Sequence, residues 1–236
     1  MPSGADGSVA RVREVFDSFG GEWERLRKDV AWRVSLEIHQ RFLDEYLTPG
    51  ARVLEVGAGP GTFTQHLAAG GARLTVTDLS PVQLAEDAPA ALRELLRVTG
   101  AGGTVLTSVM STLGSCRHLM PDVVNLIAEY GDDVNDAVLR TGDLRLVQPA
   151  GHVCVMYRAE QIPALVARSG GTLAGMSASN WSSLADPQAL ARLEADPAHW
   201  SRFLDNEAWA CRQPGCLNGG THLIFAARYQ RGPAGT

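Results

Sequence analysis

The segment that most constrains the fold is a short apolar run at 52–56 (ArgValLeuGluVal), which leads directly into a glycine-rich stretch at 57–61 (GlyAlaGlyProGly). Glycine lets the backbone adopt left-handed conformations and approach a ligand closely. Residues 62–69 have a helical pattern, and a second β-branched run at 73–77 ends at Asp78. Strand, glycine turn, helix, strand and acid in this order predict one βαβ unit with a right-handed crossover.

The rest of the chain continues to alternate helical and strand patterns. We expect helices at 9–19, 29–47, from Ser80 onward, 90–99, 120–129, 132–140, 159–169, 187–195 and 197–211, and strands at 104–110, 152–157, 172–178 and 222–228. Strands that alternate with helices predict an α/β fold with a single doubly wound, Rossmann-like sheet. We expect one domain over 1–236, in which 1–50 form a helical lid, 51–110 and 151–236 form the core, and 111–150 form a helical cap.

Composition and charge exclude several classes of function. A formal net charge of -5, with the arginines scattered along the chain, leaves no basic stripe for a nucleic acid. The N-terminal sequence has no apolar core of signal-peptide length and no segment suits a membrane span, so we expect a cytoplasmic protein. The 4 cysteines are too sparse for a disulfide framework and no zinc-like Cys or His set is present, so we expect no bound metal.

The spacing of the glycines distinguishes a dinucleotide-binding site from other nucleotide sites. A dinucleotide-binding fingerprint places its third glycine three residues after the second, which is position 62 in this chain. That position is Thr62, and the third glycine comes one residue earlier, at Gly61. A nicotinamide-dependent oxidoreductase is therefore disfavoured.

The pattern Glu-x-Gly-x-Gly-x-Gly at 55–61 resembles the first motif of the class I S-adenosylmethionine-dependent methyltransferases. In that family an acid closes the second strand, and here Asp78 stands 17 residues after Gly61. The similarity extends to SerProValGlnLeuAla at 80–85 and to PheAspSerPheGlyGlyGluTrp at 16–23, which in such enzymes closes over the cofactor. The resemblance implies a methyltransferase that uses S-adenosyl-L-methionine and acts on a small molecule, which we expect to be a specialised metabolite.

The resemblance also assigns individual residues to the cofactor. Glu55 would contact the amino group of the methionine part directly or through water, and Asp78 would hydrogen-bond both ribose hydroxyls. Leu79 would flank the adenine. The residues that would line the methionine and ribose parts are Gly57, Ala58, Gly59 and Gly61.

The sequence does not assign the residues that would assist methyl transfer. Methyl transfer from a sulfonium needs proximity, in-line orientation and, for some acceptors, a general base. His118, Asp143 and His152 lie in or beside the expected cap, although a surface or structural role is favoured for each, so the catalytic residue stays unassigned. Two other interpretations stay open: an enzyme of the same fold that catalyses a cyclisation or rearrangement, and a non-catalytic protein that binds an S-adenosyl ligand. The sequence also leaves open whether the chain forms a homodimer.

One interval departs from the family pattern. Gly103, which opens the strand at 104–110, stands only 25 positions after Asp78. In the family this interval holds two further strands with their helices, and a single βαβ unit already needs about 30 residues. We therefore expect two core strands to be absent. The strand at 52–56 should then pair directly with the strand at 104–110, or with strands from a second subunit.

Overall fold

The computed structural model describes residues 29–58, 61–77, 88–147 and 155–229. Several predictions lie outside them: the helix at 9–19, the helix that starts at Ser80 and the first half of the strand at 152–157. Residues 155–157 form only isolated bridges, from Val155 to Asp143 and from Tyr157 to Ser111.

The strands in the described residues form two separate sheets. β1 (Arg52–Val56) and β2 (Arg73–Thr77) pair in parallel, with Val56 opposite Thr77. β3 (Thr104–Met110), β4 (Gly171–Ala178) and β5 (His222–Tyr229) form a sheet of order β3-β5-β4, in which β5 runs antiparallel to both neighbours. The α/β class is confirmed, whereas the single continuous sheet is not.

Helices connect and cover these strands, and most of them begin and end within a few residues of the predicted positions. They are α1 (Val30–Asp44), α2 (Thr62–Ala69), α3 (Ala88–Thr99), α4 (Thr112–His118), α5 (Met120–Tyr130), α6 (Asp132–Thr141), α7 (Ile162–Arg168), α8 (Pro187–Glu194) and α9 (Pro197–Ala210). Short 3-10 turns lie at Leu144–Val147, Ala159–Gln161, Ser182–Leu184 and Leu217–Gly219. None of the described helices is long and apolar enough to cross a membrane.

Local sequence signals determine where several helices begin. The side chain of Asp29 accepts a hydrogen bond from the amide of Ala31 at the start of α1, at 2.9 Å. Asp186 and Asp196 cap α8 and α9 in the same way, and each is followed by a proline at the first helical position. An N-cap oxygen satisfies an amide that has no partner within the helix, and proline at this position gives up no hydrogen bond.

The three-stranded sheet is covered on both faces. On one face α3 and α7 pack against β3 and β5 through a cluster of buried residues, Leu92, Leu96, Val105, Ile162, Leu165, Val166, Leu223, Phe225 and Ala227. On the other face α1, α8 and α9 pack through Val34, Ile38, Phe42, Ala178, Leu190, Leu204, Ile224 and Ala226. This part of the molecule therefore has three layers, with helices on both faces of an antiparallel sheet.

The expected direct pairing of β1 with β3 is wrong for the described residues. β1 pairs with β2 and β3 pairs with β5. Strands that pair lie about 4.8 Å apart. Between β1 and β3 the connection is made by a side chain instead: the ring of His39 in α1 contacts Phe63 of α2, the helix that follows β1, and lies 3.3 Å from the hydroxyl of Ser108 on β3. Pairing with strands of a second subunit stays a prediction.

The two-stranded sheet is poorly covered on both of its faces. Leu54 of β1 is 48% exposed and Val76 of β2 is 46% exposed. Leu54 lies opposite Thr75, and Val76 lies opposite Glu55, so the two apolar side chains point to opposite faces. A two-stranded sheet is marginal by itself. Each face of this sheet therefore carries a half-exposed apolar side chain, and the absence of two core strands stays a prediction.

Candidate functional site

The glycine turn after β1 has glycine at two positions where the backbone conformation favours it. Gly57 has φ 73° and Gly61 has φ 78°, both in the left-handed region that favours glycine. The amide of Gly61 donates to the carbonyl of Ala58 at 2.9 Å, which closes the turn. Gly61 is also the N-cap residue of α2. The backbone thus passes from a strand into a helix within a few residues, with no side chain at either left-handed position.

Glu55 is held against the helix that follows this turn. It is half-buried near the end of β1, and its carboxylate accepts a hydrogen bond from the hydroxyl of Thr64 in α2, at 2.7 Å. This contact fixes the carboxylate beside the first turn of α2. A carboxylate at this position is suited to an ammonium group.

The start of α2 is a place where an anionic group is stabilised. Its N-cap is Gly61, so no side chain caps its first turn. The first amides of a helix have no intrahelical acceptor, and the helix dipole favours negative charge there. One strand-to-helix connection therefore holds the carboxylate of Glu55, the glycine turn and the uncapped first amides of α2. The donor set suits a zwitterionic amino-acid group, as in the methionine part of S-adenosylmethionine.

The other predicted site residues are distributed as follows. Gly59, Asp78, Leu79 and His152 lie outside the described residues. His118 is exposed in the last turn of α4. The roles assigned to these residues stay predictions.

The carboxylate of Asp143 forms an ion pair with the neighbouring Arg145. Its carboxylate accepts bonds from the backbone amide of Arg145 at 3.0 Å and from the guanidinium nitrogens Nε and Nη2 at 2.8 and 2.7 Å. The guanidinium of Arg145 holds the pKa of the Asp143 carboxyl below its usual range. These contacts describe a local structural role, and a catalytic role for Asp143 stays a prediction.

Sequence reasoning missed two histidines at the carboxyl end of β3. His222 is the first residue of β5 and lies opposite Met110, the last residue of β3. His39 of α1 lies near it, and its charge would disfavour a charge on His222. No local pattern marks this pair, because His39 and His222 lie far apart in the chain and come together only through the packing of α1 on the sheet.

A buried polar network positions His222. The hydroxyl of Ser179 accepts from the amide of His222 at 3.1 Å and donates to the side-chain carbonyl of Asn180 at 3.1 Å. That carbonyl also accepts from the amide of Thr221 at 3.0 Å. Ser179 and Asn180 are buried. The start of β5 is therefore fixed by side chains of the segment that follows β4.

Among the described residues, no group of three or more His, Cys, Asp or Glu side chains could hold a metal ion.

Comparisons with known proteins give similarities to solved structures only. No protein-family model matches the chain, and no curated protein matches its sequence. Among solved structures, the chain is similar to a SAM-dependent methyltransferase from Geobacter sulfurreducens in complex with S-adenosyl-L-homocysteine. The identity is 14%, the TM-score is 0.41, and the match covers 82% of this chain and 90% of that chain. These values are too low to support a functional conclusion, which we draw from the chain's own residues.

Proposed function

We propose that this chain is an S-adenosylmethionine-dependent methyltransferase that acts on a small molecule of specialised metabolism. One observation carries the proposal: a turn that begins and ends at the left-handed residues Gly57 and Gly61 joins a strand that bears Glu55 to a helix whose first turn no side chain caps. This combination complements an ammonium, a carboxylate and a closely approaching ribose. It also matches the motif by which the sequence resembles the class I family.

The parallel pairing of β1 and β2 supports the ribose assignment. Val56 lies opposite Thr77, so Gly57 and Asp78 directly follow the carboxyl ends of neighbouring strands. Ligands of open α/β sheets bind in the crevice at this edge. Asp78 is therefore suited to accept hydrogen bonds from both ribose hydroxyls while the glycine turn contacts the rest of the molecule.

Once bound, S-adenosylmethionine supplies a methyl group on a sulfonium that is already activated. The protein then needs to bring an acceptor to it, orient that acceptor and exclude water. The carboxyl end of β3 runs through Ser111 into α4, and α5 and α6 follow. These helices are suited to cover an acceptor at the same edge of the molecule.

Replacing Glu55 with glutamine tests the amino-group contact. Hydrogen bonds to charged groups contribute about 1.5–3 kcal/mol, so Glu55→Gln should weaken binding of S-adenosylhomocysteine by about tenfold or more. Isothermal titration calorimetry measures this change. The glutamine carbonyl can still accept from Thr64, so the urea midpoint of unfolding should change little.

The matched control is Glu129→Gln, on exposed surface of α5. It removes the same charge from the chain away from the glycine turn and should bind S-adenosylhomocysteine as the wild type does. Equal affinities for wild type and Glu55→Gln would contradict the role of Glu55. No binding to the folded wild type would contradict the proposed function itself.

A further inference from the structure

His39 of α1 contacts both the helix α2, which follows the glycine turn, and the strand β3. Its ring centroid is 5.7 Å from that of Phe63, which stands two residues after Gly61 in the first turn of α2. Its Nε2 atom is 3.3 Å from the hydroxyl oxygen of Ser108, near the carboxyl end of β3. One imidazole therefore touches the helix that follows the candidate cofactor turn and the strand that ends at the candidate acceptor site.

The contacts of His39 define which ring nitrogen is basic. Its Nδ1 atom is 2.7 Å from the backbone carbonyl oxygen of Ser35, and a carbonyl can only accept a hydrogen bond. In the neutral ring Nδ1 therefore carries the hydrogen, and Nε2 has the free electron pair. The hydroxyl of Ser108 then donates to Nε2. Ser108 is exposed, and the bond to Ser35 fixes the orientation of the imidazole ring.

The surroundings keep this imidazole neutral. Burial lowers the pKa of His39, and burial together with the nearby His39 lowers the pKa of His222 to about 4. The other charged groups of α1 and α2 are held in ion pairs: Arg33 with Glu194, Arg41 with Glu37 and Asp205, and Asp44 with His66. A neutral imidazole with a free electron pair is a proton acceptor.

We propose that His39 is the general base of the methyl transfer and that the acceptor is a neutral hydroxyl on an apolar ring, as in a phenol. This inference rests on the proposed function. The phenyl ring of Phe63 provides an apolar surface beside the base, and Ser108 marks the place of the incoming hydroxyl.

The acceptor oxygen forms a bond to the methyl carbon while the methyl–sulfur bond breaks and leaves its electron pair on sulfur. The acceptor proton passes to Nε2 of His39, which becomes an imidazolium and later releases the proton to water. The products are a methyl ether and S-adenosylhomocysteine. Ser108 is a positioning residue: its hydroxyl holds the ring of His39 in the free protein and gives up its place at Nε2 to the acceptor hydroxyl, without forming or breaking a covalent bond.

The first test is a nuclear magnetic resonance titration of the full-length wild-type chain, labelled at the histidine rings, with S-adenosylhomocysteine. The ring signals of His39 and His222 should shift on binding, whereas that of the exposed His199 should stay unchanged. If calorimetry shows binding but the signal of His39 does not move, the inference is wrong and the proposed function stands. If S-adenosylhomocysteine does not bind, the proposed function fails and this inference fails with it.

The second test compares two acceptors at pH 8 by release of S-adenosylhomocysteine. Phenol keeps its proton at this pH, whereas 4-nitrophenol has largely lost it and needs no base. A general base contributes about 10²–10⁴-fold, so His39→Gln should lose at least about 100-fold in kcat with phenol and far less with 4-nitrophenol. His199→Gln should match the wild type with both acceptors.

Equal losses with both acceptors would show that His39 only supports the structure, and would overturn the inference. Failure of the wild type to methylate either compound, despite binding S-adenosylhomocysteine, would overturn the proposed acceptor class. The titration uses the wild-type chain, so it decides the placement of His39 even where substitutions at position 39 prevent folding.

Discussion

Replacing Glu207 with alanine is expected to lower the free energy of unfolding by about 3 kcal/mol or more. Glu207 belongs to α9 and is only 1% exposed, yet its carboxylate is fully engaged. It accepts from the amides of Trp181, Ser182 and Ser183 at 2.6, 3.1 and 3.2 Å, and from the hydroxyl of Ser182 at 2.5 Å. Alanine would leave the buried amide of Ser183 and the partly buried amide of Trp181 without this acceptor, and an unsatisfied buried donor costs more than its hydrogen bond contributes.

Urea unfolding followed by circular dichroism measures this loss. Asn206→Ala, at the exposed neighbouring position of α9, is the matched control and should change stability by less than about 0.5 kcal/mol. Glu207→Gln should lie between the two, because its amide group retains an oxygen acceptor but places an NH₂ against an N–H donor. A loss below about 1 kcal/mol for Glu207→Ala would contradict the role of this carboxylate as a buried cap.

Replacing Gly114 with alanine is expected to destabilise the protein by about 3 kcal/mol or to prevent folding. Gly114 lies in α4, and a Cβ atom there would stand 1.7 Å from the carbonyl oxygen of Gly220 and 2.5 Å from its carbonyl carbon. Both are backbone atoms, so the contact cannot be relieved by a side-chain rotation. α4 would have to move away from the residues that precede β5.

That movement would also break polar contacts that hold α4 in place. The hydroxyl of Ser115 donates to the carbonyl of Thr221 at 3.1 Å, and the guanidinium of Arg117 donates to the carbonyl of Gly219 at 2.7 Å. Gly215→Ala is the matched control, because a Cβ there meets no atom within 4 Å and its φ is not left-handed. A normal thermal midpoint for Gly114→Ala would show that α4 is not packed on this segment as described.

Elements with strong local signals could be predicted from the sequence. The strands at 52–56, 73–77 and 104–110 and the helix at 62–69 have the predicted bounds, because β-branched runs and glycine turns define their ends. α3 begins at Ala88, two residues before the predicted start, because proline at position 89 is tolerated in a first helical turn. The local sequence pattern and the steric limits of proline and glycine are sufficient to predict the bounds of these elements.

Features that depend on distant contacts could not be predicted. The apolar run before 157 suggested a strand, but Met156 is buried against Val138 and Val147, and only isolated bridges form there. The separation into two sheets depends on which edges meet in space, which periodicity does not encode. The interval between β2 and β3 is too short for the two additional strands of the family that the sequence resembles, so their absence stays a prediction from the sequence.

The same contrast holds for the candidate site. Glu55 and the glycine turn form one continuous segment, so the motif placed them correctly on a strand end and a helix start. His39 and His222 come from the second half of α1 and the beginning of β5, and their proximity arises from packing of α1 on the sheet. Residues of this kind leave no signature in a single sequence.

Calorimetric titration of the full-length chain with S-adenosylmethionine and S-adenosylhomocysteine tests the central claim most directly. We predict that both ligands bind the wild type, that Asp78→Ala weakens binding at least about tenfold by removing an acceptor for the ribose hydroxyls, and that Asp122→Ala, at an exposed position of α5, has no effect. A folded wild-type chain that binds neither ligand would contradict the account.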